Sequence, residues 1–232
     1  MAVNNLKTIN IAIDGPAGAG KSSIAKALAK KMSYVYIDTG ALYRSIGIYA
    51  LRNNVDTKDS QKVIELLEQI DLKLAYENGT QRVILNGEDV SEEIRTPPAS
   101  MAASDVSAIP EVREFLLFLQ RDIAAKNNCL MDGRDIGTVI LPNAQVKIFL
   151  TASVEERAKR RYKELTEKGF EVNFEELKEE IAQRDYNDSH RKTAPLKAAD
   201  DAILFDSTQY DLQQCIDMLY EIIMNTVCRN SN

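Results

Sequence analysis

Apolar positions along the chain alternate between short runs and helical spacing. An isoleucine-rich run at 9–13 precedes a glycine-rich turn, and apolar residues at helical spacing follow over 24–31. A β-branched and aromatic run at 34–38 then leads to a second helical pattern over 41–51. Strands that alternate with helices in this order predict a parallel sheet with crossover helices.

The middle of the chain departs from this alternation. Helical spacing over 60–70 gives way to short β-rich runs between 71 and 90, separated by Asn78-Gly79 and Asn86-Gly87. Because Asn-Gly accepts the positive φ angles of tight hairpin turns, the stretch predicts a small antiparallel meander. We expect a subdomain over about residues 61–96, and Pro97-Pro98 predicts a break after it.

The first pattern returns in the second half of the chain. Apolar runs predict three more strands, over 129–132, 146–150 and 202–206. Helical spacing recurs before, between and after them, over 112–126, 154–168, 174–186 and 212–227. The sequence therefore predicts an α/β fold in one domain over residues 1–232, with five parallel strands and helices on both faces of the sheet.

The glycine-rich turn after the first strand carries the most specific chemical signal. Residues 15–22 fit G-x-x-x-x-G-K-[ST] between a predicted strand and a predicted helix, which is the context of a phosphate-binding loop. A turn that only changes the chain direction is the alternative, and the complete motif with both flanks argues against it. The predicted contacts to a nucleoside triphosphate are Gly15, Pro16, Ala17, Gly18, Ala19, Gly20, Lys21, Ser22 and Ser23.

Two side chains of this loop have separate predicted tasks. The Lys21 ammonium can reach the terminal phosphates, and the Ser22 hydroxyl can ligate the Mg²⁺ that accompanies them. Because a second serine follows at Ser23, the ligating hydroxyl could come from either residue.

Composition and charge limit the class of function. The 232 residues carry a formal net charge of −6, which argues against non-specific binding to nucleic acid. No apolar segment approaches the roughly 18 residues of a membrane span, and no signal peptide is apparent. The three cysteines have neither disulfide nor metal-ligand spacing. We expect a cytoplasmic protein, monomeric, with small-molecule partners and no nucleic-acid or membrane partner.

Charged residues cluster where the predicted strands end. Asp132 follows an apolar strand and either helps to hold Mg²⁺ opposite Ser22 or caps the next turn. Arg44 and Arg134 should reach the same cleft, because ligands gather at the carboxyl ends of parallel strands. The two guanidinium groups either hold a second phosphate or form structural ion pairs, and Asp135 leaves the same strand end.

A predicted helix after the fourth parallel strand presents a face of arginines. Arg157, Arg160 and Arg161 stand at i, i+3 and i+4, so they share one helical face. A mobile lid that closes on phosphates, over about 154–170, and a solvated charged face are equally favoured.

The next predicted helix has a face of mixed charge. Arg184, Asp188 and Arg191 stand at i, i+4 and i+7. The set fits a phosphosugar contact or an internal ion-pair ladder equally well. His190 shows no partner for acid–base chemistry.

Taken together, the motifs resemble the bacterial cytidylate kinase family. They span nearly the whole chain, at residues 13–21, 38–44, 86–96, 112–114, 132–139, 147–150, 155–158 and 184–191. The most specific are G-x-D-V-x-x-x-I-R at 87–95 and D-G-R-D-x-G-T at 132–138. The resemblance implies the three-layer α/β/α fold of P-loop NTPases and transfer of the γ-phosphate of ATP to CMP or dCMP, with Mg²⁺. The antiparallel insert would then be the subdomain that binds the nucleoside monophosphate.

The resemblance also implies a role for each matching residue. The cytosine would face Thr39, Ser104, Arg113 and Asp135. A carboxylate can accept from the cytosine N4 amino group and arginine can donate to O2 and N3, so the chemistry agrees in part. The acceptor phosphate would contact Arg44, Arg134 and Arg191, and the ribose would contact Arg184 and Asp188. Arg157 and Arg160 would belong to a lid over ATP, and the catalytic group would be Lys21, Asp132 and Arg134.

Two alternatives stay open beside this interpretation. One is a P-loop kinase for another small acceptor, and the other, of a different class, is a non-catalytic nucleotide-dependent switch. The absence of an Asn-Lys-x-Asp guanine-reading motif counts against a GTPase switch. A purely structural role would leave the clustered arginines without an anion.

Overall fold

Strands and helices alternate through most of the chain, as the apolar pattern predicts. The computed structural model describes residues 8–77 and 80–230. In chain order the elements are β1 (Asn10–Asp14), α1 (Lys21–Met32), β2 (Val35–Asp38), α2 (Thr39–Arg52), α3 (Ser60–Leu67), β3 (Leu72–Glu77), β4 (Thr80–Leu85), β5 (Glu88–Asp89), α4 (Pro97–Val106), α5 (Pro110–Lys126), β6 (Cys129–Gly133), β7 (Val146–Thr151), α6 (Val154–Glu167), α7 (Phe174–His190), β8 (Ile203–Asp206) and α8 (Leu212–Asn230). A 3₁₀ turn covers Glu93–Arg95, and a π turn covers Ile136–Ile140.

The main sheet contains five parallel strands in the order β2-β6-β1-β7-β8. Strand β1 lies at its centre between β6 and β7, and all of the pairings are parallel. The predicted parallel sheet is confirmed. Its strand order places the glycine-rich turn, which follows β1, in the middle of the carboxyl edge.

Helices cover both faces of this sheet. Successive side chains of a strand point to opposite faces, and Ile11 and Ile13 pack with α1 and α8 while Ala12 packs toward α5 and the π turn. All three residues are buried. The three-layer α/β/α arrangement is therefore confirmed. No helix in the described part of the chain is long and apolar enough to cross a membrane.

A second, antiparallel sheet is formed by β3, β4 and β5. The tight turn at Asn86-Gly87 has φ angles of 50° and 85°, as the Asn-Gly pair predicts. The predicted turn at Asn78-Gly79 lies outside the described residues. The apolar side of the sheet shares a core with α2, α3, α4 and α5, so the insert packs on the helices that flank the site.

The predicted break at Pro97-Pro98 coincides with the start of helix α4, which was not predicted. These prolines occupy the first two positions of α4, after Thr96. Proline fits there because the first N–H groups of a helix have no intrahelical partner. Helix α2 likewise begins at Thr39 rather than at 41, because the Asp38 carboxylate accepts from the Ala41 N–H at 3.0 Å and caps it.

Candidate functional site

Three strands deliver the candidate residues to one edge of the main sheet. In the strand register Asp14 pairs with Gly133, and Asp38 pairs with Asp132. The glycine-rich turn, the start of α2 and the segment from 132 to 135 therefore meet at this edge. Ligands of parallel sheets gather at such carboxyl ends.

Backbone geometry explains why the turn begins with glycine. Gly15 has φ of 149°, and a Cβ at this position would lie 1.9 Å from the carbonyl oxygen of Leu150 on the neighbouring strand β7. Any larger residue would clash with that backbone. The root of the turn is thus locked against the sheet, and α1 begins directly after Gly20 with its N-terminal N–H groups free to face an anion.

Cationic side chains hold three carbonyl oxygens of the turn. The Lys21 ammonium donates to Pro16 at 2.7 Å, and the Arg157 guanidinium donates to Ala17 at 2.9 Å. The Arg160 guanidinium donates to Ala19 at 3.4 Å. The turn therefore has its shape fixed by bonds within the chain.

The three arginines predicted to share one face of α6 make different contacts. Arg157 is buried and pairs with Asp185 of α7, and Arg160 also donates to the backbone carbonyl of Ser207 at 2.8 Å. Arg161 instead pairs with Glu164 on the surface. A solvated face describes only Arg161, whereas Arg157 and Arg160 lie against the phosphate loop; closure of 154–170 as a lid stays a prediction.

Asp132 lies opposite the first serine of α1. Its carboxylate accepts from the Ser22 hydroxyl at 2.8 Å and from the Tyr36 hydroxyl at 3.0 Å. Burial, and then the nearby charge of Asp38, raise the pKa of Asp132 to about 6. This pair of oxygens suits Mg²⁺, which is typically bound by one or two protein oxygens together with phosphates and waters. No group of three or more metal-ligating side chains occurs among the described residues, so phosphate oxygens would complete the shell.

Lys21 is almost completely buried beside another cation. Burial lowers its pKa well below the ordinary value, and the charge of Arg134 lowers it further, while Asp132 and Asp14 act in the opposite direction. Arg134 itself donates through Nε to Asp188 at 2.9 Å. A phosphate that approached would relieve the repulsion between the two cations.

Three guanidinium groups have a buried nitrogen without a hydrogen bond among the described residues. These atoms are Nε of Arg44, Nε of Arg184 and Nη2 of Arg191. Burial, and then the charge of Arg134, lower the pKa of Arg184 to about 10. Unsatisfied buried donors are costly, so their convergence indicates an anionic ligand. Arg44 is also paired with Asp38 at 2.8 Å, so part of the ion-pair alternative holds as well.

A buried ion pair lies on the far side of these arginines. Arg113 donates to Asp135, and both side chains are nearly inaccessible to solvent. The Asp135 carboxylate also lies 3.6 Å from Arg191, and the Arg113 guanidinium lies 5.5 Å from the centroid of the Tyr43 ring. The structure thus brings three of the predicted acceptor-site residues into direct contact.

A cleft of about 350 Å³ opens beside this pair. Ser104, Asp188 and Arg191 line it, as a pocket for a base and a sugar requires. Thr39 lies deeper, and its hydroxyl donates to the backbone carbonyl of Asp132 at 2.8 Å. Of the residues predicted to face the cytosine, Ser104 lines the cleft, Thr39 lies between the two loops, and Asp135 is buried against Arg191, which lines the cleft.

Some site residues were not identified from sequence. Tyr36 and Asp185 contact the predicted site residues Asp132 and Arg157, and Asp14 accepts from the backbone of Ile136, directly after Asp135. An acidic residue at the end of an apolar strand, directly before Gly15, is a signal that could have identified Asp14. Nothing in the local sequence distinguishes Tyr36 from a core tyrosine, because its partner is 96 residues away.

Comparison with known proteins gives a consistent result. A family model described as cytidylate kinase matches residues 11–225. The cytidylate kinase of Caldicellulosiruptor saccharolyticus is 54% identical over 226 residues, which cover 96% of this chain and all of the relative. That of Bacillus subtilis is 51% identical over 217 residues, covering 94% of this chain and 97% of the relative. A crystal structure of an uncharacterized protein from Eubacterium ventriosum has a TM-score of 0.51 and 15% identity over 94% of this chain and 99% of that one, which supports the fold alone.

Proposed function

The chain belongs to the cytidylate kinase family, and on that premise we propose that it transfers the γ-phosphate of ATP to CMP or dCMP to give CDP or dCDP. The observation that carries the proposal is the set of unsatisfied guanidinium nitrogens on Arg44, Arg184 and Arg191. The phosphate loop supplies the donors for a triphosphate, and a second set of donors, for phosphate and ribose oxygens, is what a nucleoside monophosphate requires.

The donor half consists of residues 15–23. Backbone N–H groups of the turn and of the first turn of α1 hold the ATP phosphates, and Lys21 exchanges its bond to the Pro16 carbonyl for a phosphate oxygen. Ser22 and Asp132 would hold Mg²⁺, which would neutralise phosphate charge when bound. Arg157 and Arg160 support the loop from behind, within the proposed lid over 154–170.

The acceptor half begins with the phosphate of the monophosphate. Arg44, Arg134 and Arg191 surround it, and Arg184 and Asp188 are next to the ribose. Since phosphoryl transfer proceeds through a loose transition state, positioning and charge neutralisation supply most of the catalysis. Lys21 and Arg134 lie between the two halves, where negative charge passes from donor to acceptor.

The base is recognised by Arg113 and Asp135, with Thr39 and Ser104. Asp135 accepts from the cytosine N4 amino group, and Arg113 donates to O2 and N3. The carboxylate retains accepting capacity beside its ion pair, because each oxygen has two lone pairs. Uracil presents an acceptor at the N4 position, so the same pair disfavours UMP.

The antiparallel insert, over about 61–96, supports the acceptor half. The Gln81 side chain accepts from the Asp38 N–H at 2.9 Å, and the Tyr76 hydroxyl donates to the Tyr36 carbonyl at 3.2 Å. The insert is thus attached to the strand that leads into Arg44 and Thr39. We assign it as the subdomain that closes over the monophosphate.

One substrate comparison tests the proposal. Purified protein is offered ATP and Mg²⁺ with CMP, dCMP, UMP or AMP in turn, and the diphosphates are quantified. We expect CDP and dCDP to form at least 10-fold faster than UDP or ADP, since the site hydrogen-bonds the cytosine edge. Equal turnover of UMP or AMP would instead favour a kinase for another acceptor, and ATP binding with no diphosphate from any acceptor would favour a switch.

A further inference from the structure

We propose that Asp14 is a positioning residue that fixes the position of Asp135 relative to the phosphate loop. The inference rests on the proposed function, in which Asp135 recognises the cytosine of the acceptor. Asp14 touches neither substrate in this role and acts through the backbone of the segment that carries Asp135.

The contacts of Asp14 are short and fully buried. Its side chain is the last of β1 and only 4% of it is exposed. One carboxylate oxygen accepts from the Ile136 N–H at 2.7 Å, and the other accepts from the Gly137 N–H at 2.7 Å. A carboxylate that is shielded from water and accepts from two backbone N–H groups makes strong, charge-assisted hydrogen bonds.

The two N–H groups belong to the π turn that directly follows Asp135. The same turn is closed by bonds from the Val139 and Ile140 N–H groups to the Asp135 carbonyl oxygen, at 2.9 and 3.2 Å. Asp14 therefore holds one side of the turn while Asp135 closes the other. A shift of Asp14 would displace the backbone on which the Asp135 carboxylate is mounted.

The approach of Asp14 to this turn is close. A Cβ on Gly137 would lie 3.3 Å from the Asp14 carboxylate and 3.2 Å from the Lys147 side chain. Glycine allows the turn to fit between these two charged residues. A larger residue at 137 would have to displace one of the two side chains, so the turn lies close against Asp14.

On its other side Asp14 is joined directly to the donor loop. The next residue is Gly15, whose backbone is locked against the carbonyl of Leu150. One residue therefore connects the start of the ATP loop to the segment that reads the acceptor base. The two hydrogen bonds of Asp14 thus add to the β1–β6 pairing in holding the two segments together.

Asp14→Asn tests this role. Asparagine keeps the shape but presents an NH₂ group to one of the two N–H donors, so one bond is lost. We expect kcat/KM for CMP to fall by about 10- to 100-fold, with a raised KM for CMP and a smaller preference for CMP over UMP. Circular dichroism and thermal unfolding establish that the variant is folded.

A double-mutant cycle with Asp135→Asn tests whether Asp14 acts on catalysis through Asp135 or contributes only to stability. If Asp14 acts through Asp135, the losses in kcat/KM for CMP are strongly non-additive, because either change alone removes the same base contact. Additive losses would overturn the proposal. So would an Asp14→Asn protein that unfolds at a lower temperature yet keeps the wild-type preference for CMP over UMP.

The control is Asp201→Asn. Asp201 pairs with Lys147 at 2.8 Å on the outer side of the same turn, and its side chain is 66% exposed. We expect its kinetic constants for CMP and UMP to match those of the wild type. A wild-type protein without preference for CMP would contradict the proposed function, whereas a preference that survives Asp14→Asn contradicts only the role of Asp14.

Discussion

Several ionisable side chains at the carboxyl edge of the sheet are buried next to one another. Lys21 lies next to Arg134; Asp132 and Asp14 are the nearby opposite charges for Lys21, and Asp188 pairs with Arg134. Asp135 is bounded by two guanidinium groups, with one carboxylate oxygen facing Arg113 and the other facing Arg191. A substrate would bind by forming hydrogen bonds and ion pairs with these side chains. Single substitutions should therefore show which residues affect kcat and which affect the choice of acceptor.

Lys21→Ala should reduce turnover much more than binding of the acceptor. The ammonium stabilises charge that develops on the transferring phosphoryl group, so we expect kcat to fall by roughly 100-fold or more, with KM for CMP within about threefold. The measurement is steady-state kinetics with CMP varied at saturating ATP. Lys30→Ala, on the exposed side of the same helix, is the matched control, and equal losses in both variants would contradict the role of Lys21.

Asp135→Asn should change which pyrimidine is preferred. The amide can donate to the uracil O4 and cannot accept with both atoms from the cytosine amino group. We expect the ratio of kcat/KM for CMP to that for UMP to fall by at least about 10-fold. Losses of equal size for CMP and UMP would show that the residue has a structural role only.

Asp14 should couple stability to pH. Burial raises its pKa to about 6, above the ordinary value of 3.8, with Asp135 raising it and Lys21 lowering it. The folded state thus binds the proton more tightly, so this stabilisation is present at low pH and lost as pH rises through about 6. The free energy of unfolding of the wild type, minus that of Asp14→Asn, should increase by about 1 kcal/mol between about pH 7 and about pH 5. Denaturant titrations measure it, and a difference that decreases on acidification would contradict the shift.

Secondary-structure elements show how far the sequence alone can lead. Strand and helix positions followed from apolar spacing, and the phosphate loop followed from a local motif. Helix α4 was missed because Pro97 reads locally as a break, whereas at a helix start it costs nothing. The strand order and the contacts of Asp14 depend on residues far apart in the chain, 122 positions in the case of Asp14 and Ile136, which periodicity does not contain.

The packing of α2 against α4 provides a test at this scale. A Cβ on Gly47 would lie 2.7 Å from that of Ala102. In an isolated helix, Gly→Ala would stabilise by about 1 kcal/mol. Here the added methyl group would overlap Ala102, so we expect the free energy of unfolding to fall by about 1 to 3 kcal/mol instead. Denaturant unfolding measures the loss, with Leu51→Ala at a partly exposed position of α2 as control. Unchanged or increased stability of Gly47→Ala would refute the close packing.

The whole molecule combines a rigid parallel sheet with an insert that has its own core. The insert's core includes α2 and α5, whereas the cores on the two faces of the main sheet are formed by other side chains. Arg52 at the end of α2 pairs with Glu88 and Glu93 of the insert, so the insert is attached near both ends of that helix. A ligand that contacts α2 and α7 together should therefore stabilise the entire fold.

CMP alone should raise the unfolding temperature. A ligand at about 100 times its Kd stabilises the folded state by about 2.7 kcal/mol, which corresponds to roughly 5–10 °C for a chain of this size. Thermal unfolding followed with increasing CMP measures the shift. UMP at the same concentration is the matched control, and equal shifts for the two nucleotides would argue against base recognition in the binding step.

The phosphate loop has a thermodynamic consequence. Gly15 is held against Leu150, and side chains of the protein occupy the carbonyl oxygens of Pro16, Ala17 and Ala19. The backbone has therefore lost its conformational freedom at folding, and ATP need not order it again. Binding of the triphosphate should be driven by the enthalpy of its bonds to the N–H groups and the lysine, with a small loss of chain entropy. The loop is thus a preformed binding site rather than a segment that folds around its ligand.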